Sequence, residues 1–339
     1  MMEKNRITVI LAAYRGEKYI GEQLQSLFTQ TRVPDEILIG DDSDTDATFQ
    51  AVEAVKDRFP GEFHYIRNPQ RLGFMRNFLH LAERSKGDLI FFCDQDDVWL
   101  PEKIETLTAI LENDPPAQVA VCNSEMVDAE LHPLHETMLS GIPDLQDRMA
   151  EINAGSGFEP ILKRTIPFAG HNLAMKRSFL PVFRQIPDSY RYHDLWILQC
   201  AAVSGVLRYV DKVLTLYRLH GQNASAPCVQ KVKKNFLHRF NEIRKSSGDI
   251  FSIARQMNDF ADFMERNCPE NPNRELLSAY CRYFNWRAEL LAMPYFRRWL
   301  TICFHPWRLR DHYRYGFGSR SLVRDLIVKA DKPGRELPR

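Results

Sequence analysis

The first 125 residues alternate two periodicities that cannot belong to one kind of element. Five short apolar, β-branched runs read as strands: ITVILAA at 7–13, EILIG at 36–40, FHYI at 63–66, DLIFFC at 88–93 and QVAVCNS at 118–124. Between them apolar residues recur at helical spacing. Ile20, Leu24, Leu27 and Phe28 mark one helix, a second follows around 46–58, and Phe78, Leu81 and Ala82 lie on a third at about 74–85. Ile104, Leu107 and Leu111 mark a fourth, whose first turn suits Pro101. Strands separated by helices of this length predict βαβ units, hence an α/β fold with a mostly parallel sheet covered on both faces. Ligands in such sheets bind beyond the carboxyl ends of the strands.

Three polar clusters fall at those ends: AAYRGE after the first strand, DDSD after the second and DQDD after the 88–93 strand. Asp94, Asp96 and Asp97 directly follow a buried run, and carboxylates crowded in this way repel one another without a cation. Asp94-x-Asp96 suits a hard divalent ion, Mg²⁺ or Mn²⁺, which takes carboxylate and phosphate oxygens. Asp42 is an acceptor that fits the imide of a pyrimidine base; the plainer reading is helix capping by Asp42, Asp44 or Asp46. Neither a G-x-G-x-x-G nor a P-loop motif occurs.

Bulk properties narrow the class further. The chain has 339 residues, a net charge of +1 and 44% hydrophobic content, as expected of a globular protein with more than one structural unit. Its seven cysteines are scattered and never form a C-x-x-C pair, which argues against a disulfide framework or a zinc site and fits a reducing compartment. The N-terminal apolar run is too short for a signal peptide, and no stretch approaches the ~20 apolar residues of a membrane span. A cytoplasmic protein is expected.

From about 130 to 165 the pattern loosens, predicting an irregular segment or lid. After Pro227 it becomes helical, with Val232, Phe236, Ile243, Ile250, Ile253, Met257, Phe260 and Phe263 at spacings of three, four and seven. Two domains are therefore expected. A catalytic part would occupy 1–228, divided near 125, and a helical region 229–339.

The segments VILAAYRGEKYIGEQLQSLFTQT, EILIGDDSDTDAT, NPQRLGFMRNF and FFCDQDDVWLPEKI, in this order, resemble the family 2 glycosyltransferases with the glycosyltransferase A (GT-A) nucleotide-sugar fold. The later HDLW and YRLHGQN are similar to the bacterial rhamnosyltransferase-like subgroup of surface polysaccharide synthesis. The resemblance covers roughly residues 6–225 and departs from the usual pattern twice. Arg15 stands where Asn is usual, and Asp44 where Ser is usual.

The resemblance implies an inverting, metal-dependent transfer of a sugar from a UDP- or dTDP-linked donor to a glycan or lipid-linked acceptor. In it Ala13, Tyr14, Glu17 and Asp42 would line the nucleotide pocket, with Tyr14 stacked on the base or merely semi-buried. Gly73 and Asn77 would close the donor side, unless Asn77 is a helix-surface residue. Asp94 and Asp96 would hold the diphosphate through the metal. Asp97 would be an acceptor behind them or the cap of the following helix. Asp194 would be the general base that a poor hydroxyl nucleophile needs, its plainer alternative being a helix N-cap. His193 would orient it. His220 would complete the metal shell or, with Arg218, meet the diphosphate. GHNLAMKR at 170–177 would form the acceptor floor, and Trp99 and Trp196 are candidate sugar-stacking walls.

Between Leu291 and Arg339 the chain carries eleven Lys/Arg against four Asp/Glu, with Trp, Phe and Tyr interleaved. This pattern suits either the inner-leaflet membrane surface or a solvated helical hairpin. Nucleic-acid binding is disfavoured by the acidic balance of the rest and the lack of a recognition motif. The rival readings are a sugar-nucleotide nucleotidyltransferase, for which AAYRGEKY is a poor phosphate loop, and a nucleotide-sugar binding or scaffold protein with a dead site.

Overall fold

The computed structural model describes residues 4–163, 166, 169–221, 223, 248–316 and 319–327. These residues divide between two compact units, one within Met1–Ile186 and Tyr190–Ala226, the other within Pro187–Ser189 and Pro227–Arg339.

In the first unit every predicted strand forms, within two or three residues of its expected ends. The strands are β1 (Ile7–Ala13), β2 (Glu36–Asp41), β3 (Glu62–Arg67), β4 (Leu89–Asp94), β5 (Val98–Trp99), β6 (Val119–Val127), β7 (Pro133–Thr137), β8 (Leu173–Lys176) and β9 (Leu207–Arg218). They make one sheet in the order β3-β2-β1-β4-β8-β6-β9-β5, with β7 beside β6. The β3-β2-β1-β4 half is parallel throughout, and β6 pairs parallel with β9. β8 runs antiparallel between β4 and β6.

The connecting helices are α1 (Ile20–Phe28), α2 (Ala47–Glu53), α3 (Phe74–Arg84), α4 (Lys103–Asn113), α5 (Leu145–Asn153), α6 (Phe158–Leu162), α7 (Leu180–Phe183) and α8 (His193–Val203). Residues 130–163, expected to be irregular, hold β7, α5 and α6, with Met149, Ile152, Phe158, Ile161 and Leu162 buried. Their elements are short and lack the long apolar period that reveals a helix in sequence.

β1, β2 and β4 are all but buried, as strands covered on both faces must be. The core runs from Val9 and Leu11 through Leu24, Ile39, Phe91, Leu107 and Leu111. Because β1 lies between β2 and β4, the chain reverses its direction of winding there. The three polar clusters therefore emerge side by side at the switch point, where the sequence placed them.

The second unit contains α9 (Gly248–Asn267), α10 (Arg274–Ala292), α11 (Tyr295–Phe304), α12 (Trp307–Tyr315) and α13 (Ser319–Ile327). Ile250, Met257, Phe260 and Phe263 of the expected apolar face are buried on α9. Val232, Phe236 and Ile243 lie outside the described residues. Among the described residues no helix is long and apolar enough to cross a membrane.

Candidate active site

A cleft opens at the strand ends of the first unit. Ala13, Tyr14, Asp42, Gly73, Asn77, Asp94, Asp96 and Asp194, eight of the residues singled out in the sequence, line it. Arg71, Gln95, Gly170, His171, Tyr192, His193 and Tyr217 complete most of the wall. Glu17 and His220 are not on it. Glu17 is exposed and accepts a bond from the Thr48 hydroxyl at 3.3 Å.

The floor is held by side chains that imitate backbone. Gln95, the middle residue of Asp94-x-Asp96, accepts from Tyr14 N at 2.9 Å and donates to Tyr14 O at 3.0 Å, locking the ends of β1 and β4 together. Asp42 uses both oxygens on the following loop. Asn68 Nδ2 and Leu72 N donate to Oδ1 at 2.8 and 3.0 Å, and Gly73 N donates to Oδ2 at 2.8 Å. Gly73, at φ 77°, then turns the chain into α3. The expected helix caps do not form. Asp46 is the N-cap of α2 without a side-chain cap bond, and Asp46 and Asp44 pair instead with Arg67 and Arg15.

Asn77 is buried rather than on a helix surface. Its Nδ2 donates to Gly40 O at 2.7 Å, and its Oδ1 accepts from Asn68 at 3.2 Å. A Cβ on Gly40 would sit 2.1 Å from that oxygen, so β2 needs glycine there. The Tyr14 ring is covered by the Arg71 guanidinium, 3.9 Å from its centroid. Arg71 lies in the NPQRLGFMRNF segment, of which the sequence alone singles out only Gly73 and Asn77.

The two departures from the family pattern meet each other. Arg15 Nε and Nη2 reach Asp44 Oδ1 and Oδ2 at 3.1 and 2.7 Å. Arg15 has φ 50°, a left-handed conformation that asparagine tolerates better than most residues. The exchange of both residues thus keeps a neutral, self-satisfied rim.

The carboxylates after β4 separate into two groups. Asp96 Oδ2 is bonded to His220 Nε2 at 2.8 Å, on a turn made by Gly221 at φ 76°. Asp94, Asp97 and His171 gather with their donor atoms within 4.8 Å of one another. His171 Nδ1 lies 3.7 Å from Asp94 Oδ2 and 3.5 Å from Asp97 Oδ2. Both Asp97 Oδ2 and His171 Nδ1 are buried without a hydrogen-bond partner. Burial, and then the charges of Asp96 and Asp94, push the Asp97 carboxyl well above its usual range. Two orphaned donor atoms, one carboxylate oxygen and one imidazole nitrogen, beside the second carboxylate, Asp94, fit a divalent cation. Asp97 is not the cap of α4, whose N-cap is Glu102; it accepts from Arg218 N at 3.1 Å.

Lys103 lies under this group, fully buried. Its ammonium is 3.7 Å above the Trp99 ring and donates to Thr215 Oγ1 at 2.7 Å and His171 O at 2.5 Å. Burial pulls its pKa down to about 8. In the sequence it reads as one lysine of an ordinary helix start, and only the fold shows that it points inward.

Asp194 sits in the first turn of α8, two residues past the N-cap position held by Tyr192. Leu195 N donates to its Oδ1 at 2.6 Å, and burial raises its pKa to about 6. His193 does not orient it. Neither ring nitrogen has a partner, and the imidazole is stacked 5.1 Å from Phe92 and packed on Phe78 at 4.4 Å, which lowers its pKa by burial to about 4.

Other expectations are corrected by packing. Arg218 is buried; its guanidinium is taken up by Glu22 at 2.5 Å, Asp96 O at 2.9 Å and Ala129 O at 2.6 Å. Trp99 and Trp196 are core residues. Of 170–177 only Gly170 and His171 face the cleft, because Leu173–Lys176 form β8.

A mostly parallel sheet with an acidic cleft at its switch point, followed by a helical unit, defines the GT-A class of glycosyltransferase. Residues 8–180 match the glycosyl transferase family 2 model, and the chain belongs to that family. It is 27% identical to the dTDP-rhamnosyl transferase RfbG of Shigella flexneri over 74% of this chain and 85% of that one. It is 26% identical to the uncharacterized glycosyltransferase alr2836 of Nostoc over 67% of this chain and 70% of that one. The mannosyltransferase PcManGT of Pyrobaculum calidifontis, solved with GDP-Man and Mn²⁺, shares the fold with a TM-score of 0.55 and 16% identity, over 95% of this chain and 79% of that one. The chain spans 59% of the length of mycobacterial relatives that it also matches.

Proposed function

We propose that this glycosyltransferase moves one sugar, with inversion, from a pyrimidine nucleoside diphosphate donor to a hydroxyl of a glycan or lipid-linked acceptor. The observation that carries the reading is the position of Asp194. A carboxylate with its pKa raised to about 6 shares one cleft with Asp94 and Asp96. Direct displacement requires this pairing of a base and an anion-handling rim on one reacting carbon.

In this reading the acceptor oxygen attacks the anomeric carbon as Asp194 takes its proton. The bond from that carbon to the diphosphate oxygen breaks, and the diphosphate leaves with the electron pair. A base whose pKa lies just below neutral is ionised yet still basic enough to help. The nucleotide would lie along Ala13, Tyr14 and Asp42, with Gly73 and Asn77 closing the donor side and Glu17 at the outer edge. Asp42 accepts three bonds from the 68–73 loop, two on Oδ1 and one on Oδ2, which leaves Oδ2 one position for a base N–H. Asp94 and Asp96, both on the cleft wall, are the residues to hold Mg²⁺ or Mn²⁺, and His220 would become a third donor by giving up its bond to Asp96 Oδ2. A bound cation would supply positive charge to the departing diphosphate. The unpartnered Asp97 Oδ2 and His171 Nδ1 atoms beside Asp94 are inner donors that such an ion would also satisfy.

The likeness to the dTDP-rhamnosyl transferase RfbG supports a dTDP-linked donor, and bacterial surface polysaccharide assembly is the setting that the HDLW and YRLHGQN segments suggest. Product analysis tests the mechanism. With the active donor, the anomeric configuration of the product, read by NMR, is opposite to that of the donor sugar. A product of the same configuration would contradict displacement by an acceptor that Asp194 activates.

A further inference from the structure

We propose that the outward face of α11 and the start of α12 is a docking surface for an anionic lipid bilayer. α11 is amphipathic with the usual order reversed. Its buried side carries Arg298, whose Nη1 donates to Asp325 O at 2.8 Å and whose Nη2 donates to Leu291 O and Met293 O at 3.0 and 3.2 Å. These bonds satisfy carbonyls at the end of α10 and within α13, and so fix the rotation of α11. The side turned to solvent carries Phe296, Trp299, Leu300 and Phe304, at i, i+3, i+4 and i+8. Phe296 is 76% exposed, Trp299 61% and Phe304 72%, and Trp307, opening α12, is 62% exposed. An apolar stripe at helical spacing that points away from its own unit marks an interaction surface.

Charge selects the occupant. From Tyr295 to Arg310 there are four arginines and no aspartate or glutamate. Arg297 and Arg310, with Arg314 one turn beyond, are exposed beside the aromatic rings. Rings that sit at headgroup depth next to guanidinium groups complement a negatively charged lipid surface. A second copy of this chain is a poorer fit. In a two-fold pair the face would meet itself, and its arginines would repel.

The test uses the full chain and vesicles of phosphatidylcholine, alone or mixed with phosphatidylglycerol. The protein should cosediment with the mixed vesicles and shift its tryptophan emission to the blue. Binding to pure phosphatidylcholine should be weaker by about tenfold or more, as expected for three arginines near a charged surface. Phe296→Ser/Trp299→Ser/Phe304→Ser should abolish binding, and Arg297→Gln/Arg310→Gln/Arg314→Gln should abolish the preference for phosphatidylglycerol. All six side chains are exposed, so both variants should keep the wild-type far-UV CD spectrum and melting temperature. Folded wild-type protein that ignores the mixed vesicles would overturn the proposal. So would binding undiminished in the serine variant, or a wild-type dimer that ignores vesicles and that the serine changes dissociate.

Discussion

Asp194 is where residue-scale physics bears most directly on the chemistry. Folding raises its pKa to about 6 from the ordinary aspartate value, because burial penalises the ionised form. The native state therefore holds the proton more tightly than the unfolded chain. Asp194 favours folding at low pH, and this contribution is lost as pH rises through about 6. In the proposed mechanism Asp194 acts in its ionised form, so turnover should rise with pH through the same region. Asp194→Asn should cut turnover by about 10²–10⁴-fold. At pH 8 it should also melt at the same temperature as wild type or higher, since a partly desolvated charge has been removed. A loss of both activity and stability would make Asp194 structural.

Lys103 makes the opposite case. Lys103→Met would strand the His171 carbonyl and the Thr215 hydroxyl inside the core, at a cost of about 1–3 kcal/mol for each unsatisfied group. Calorimetric unfolding should show the loss in the absence of any ligand. The Arg15–Asp44 pair is exposed, and exchange of both for Asn and Ser should leave the melting temperature unchanged.

At the scale of elements, the sequence was most legible where one element carries one signal. β1, β2, β4 and the helices between them bury continuous apolar runs, so periodicity located them and the cleft they share. Legibility failed where a residue's role depends on a neighbour far along the chain. Gln95 is an unremarkable polar residue until β1 and β4 lie side by side. Asn77 has helical spacing that suits either face. His193 looks polar in sequence, yet α3, β4 and α7 enclose it with aromatic rings.

The Gly40–Asn77 contact offers a test of how β2 and α3 fit. Gly40→Ala should destabilise by about 1–3 kcal/mol through overpacking. In an Asn77→Ala background, where the obstructing oxygen is gone, the same change should cost less. Denaturant melts of the double-mutant cycle would measure the coupling. Strict additivity would mean that the two residues do not hold β2 and α3 together.

For the whole molecule, the crowded carboxylates at the switch point make the apo protein less stable than the loaded one. A metal–nucleoside diphosphate complex at 100 times its dissociation constant should add about 2.7 kcal/mol of stability. Chelator should remove the gain, as should Asp96→Ala. The central claim is catalytic, and the release of nucleoside diphosphate from a panel of UDP-, dTDP- and GDP-sugars tests it most directly. The assay would contain Mn²⁺ or chelator, with candidate glycan and lipid-linked acceptors. The account predicts turnover of a pyrimidine-linked donor that stops with chelator and in Asp96→Ala and Asp194→Asn. Turnover that survives both substitutions, or no turnover and no metal-dependent stabilisation by any nucleotide, would contradict it.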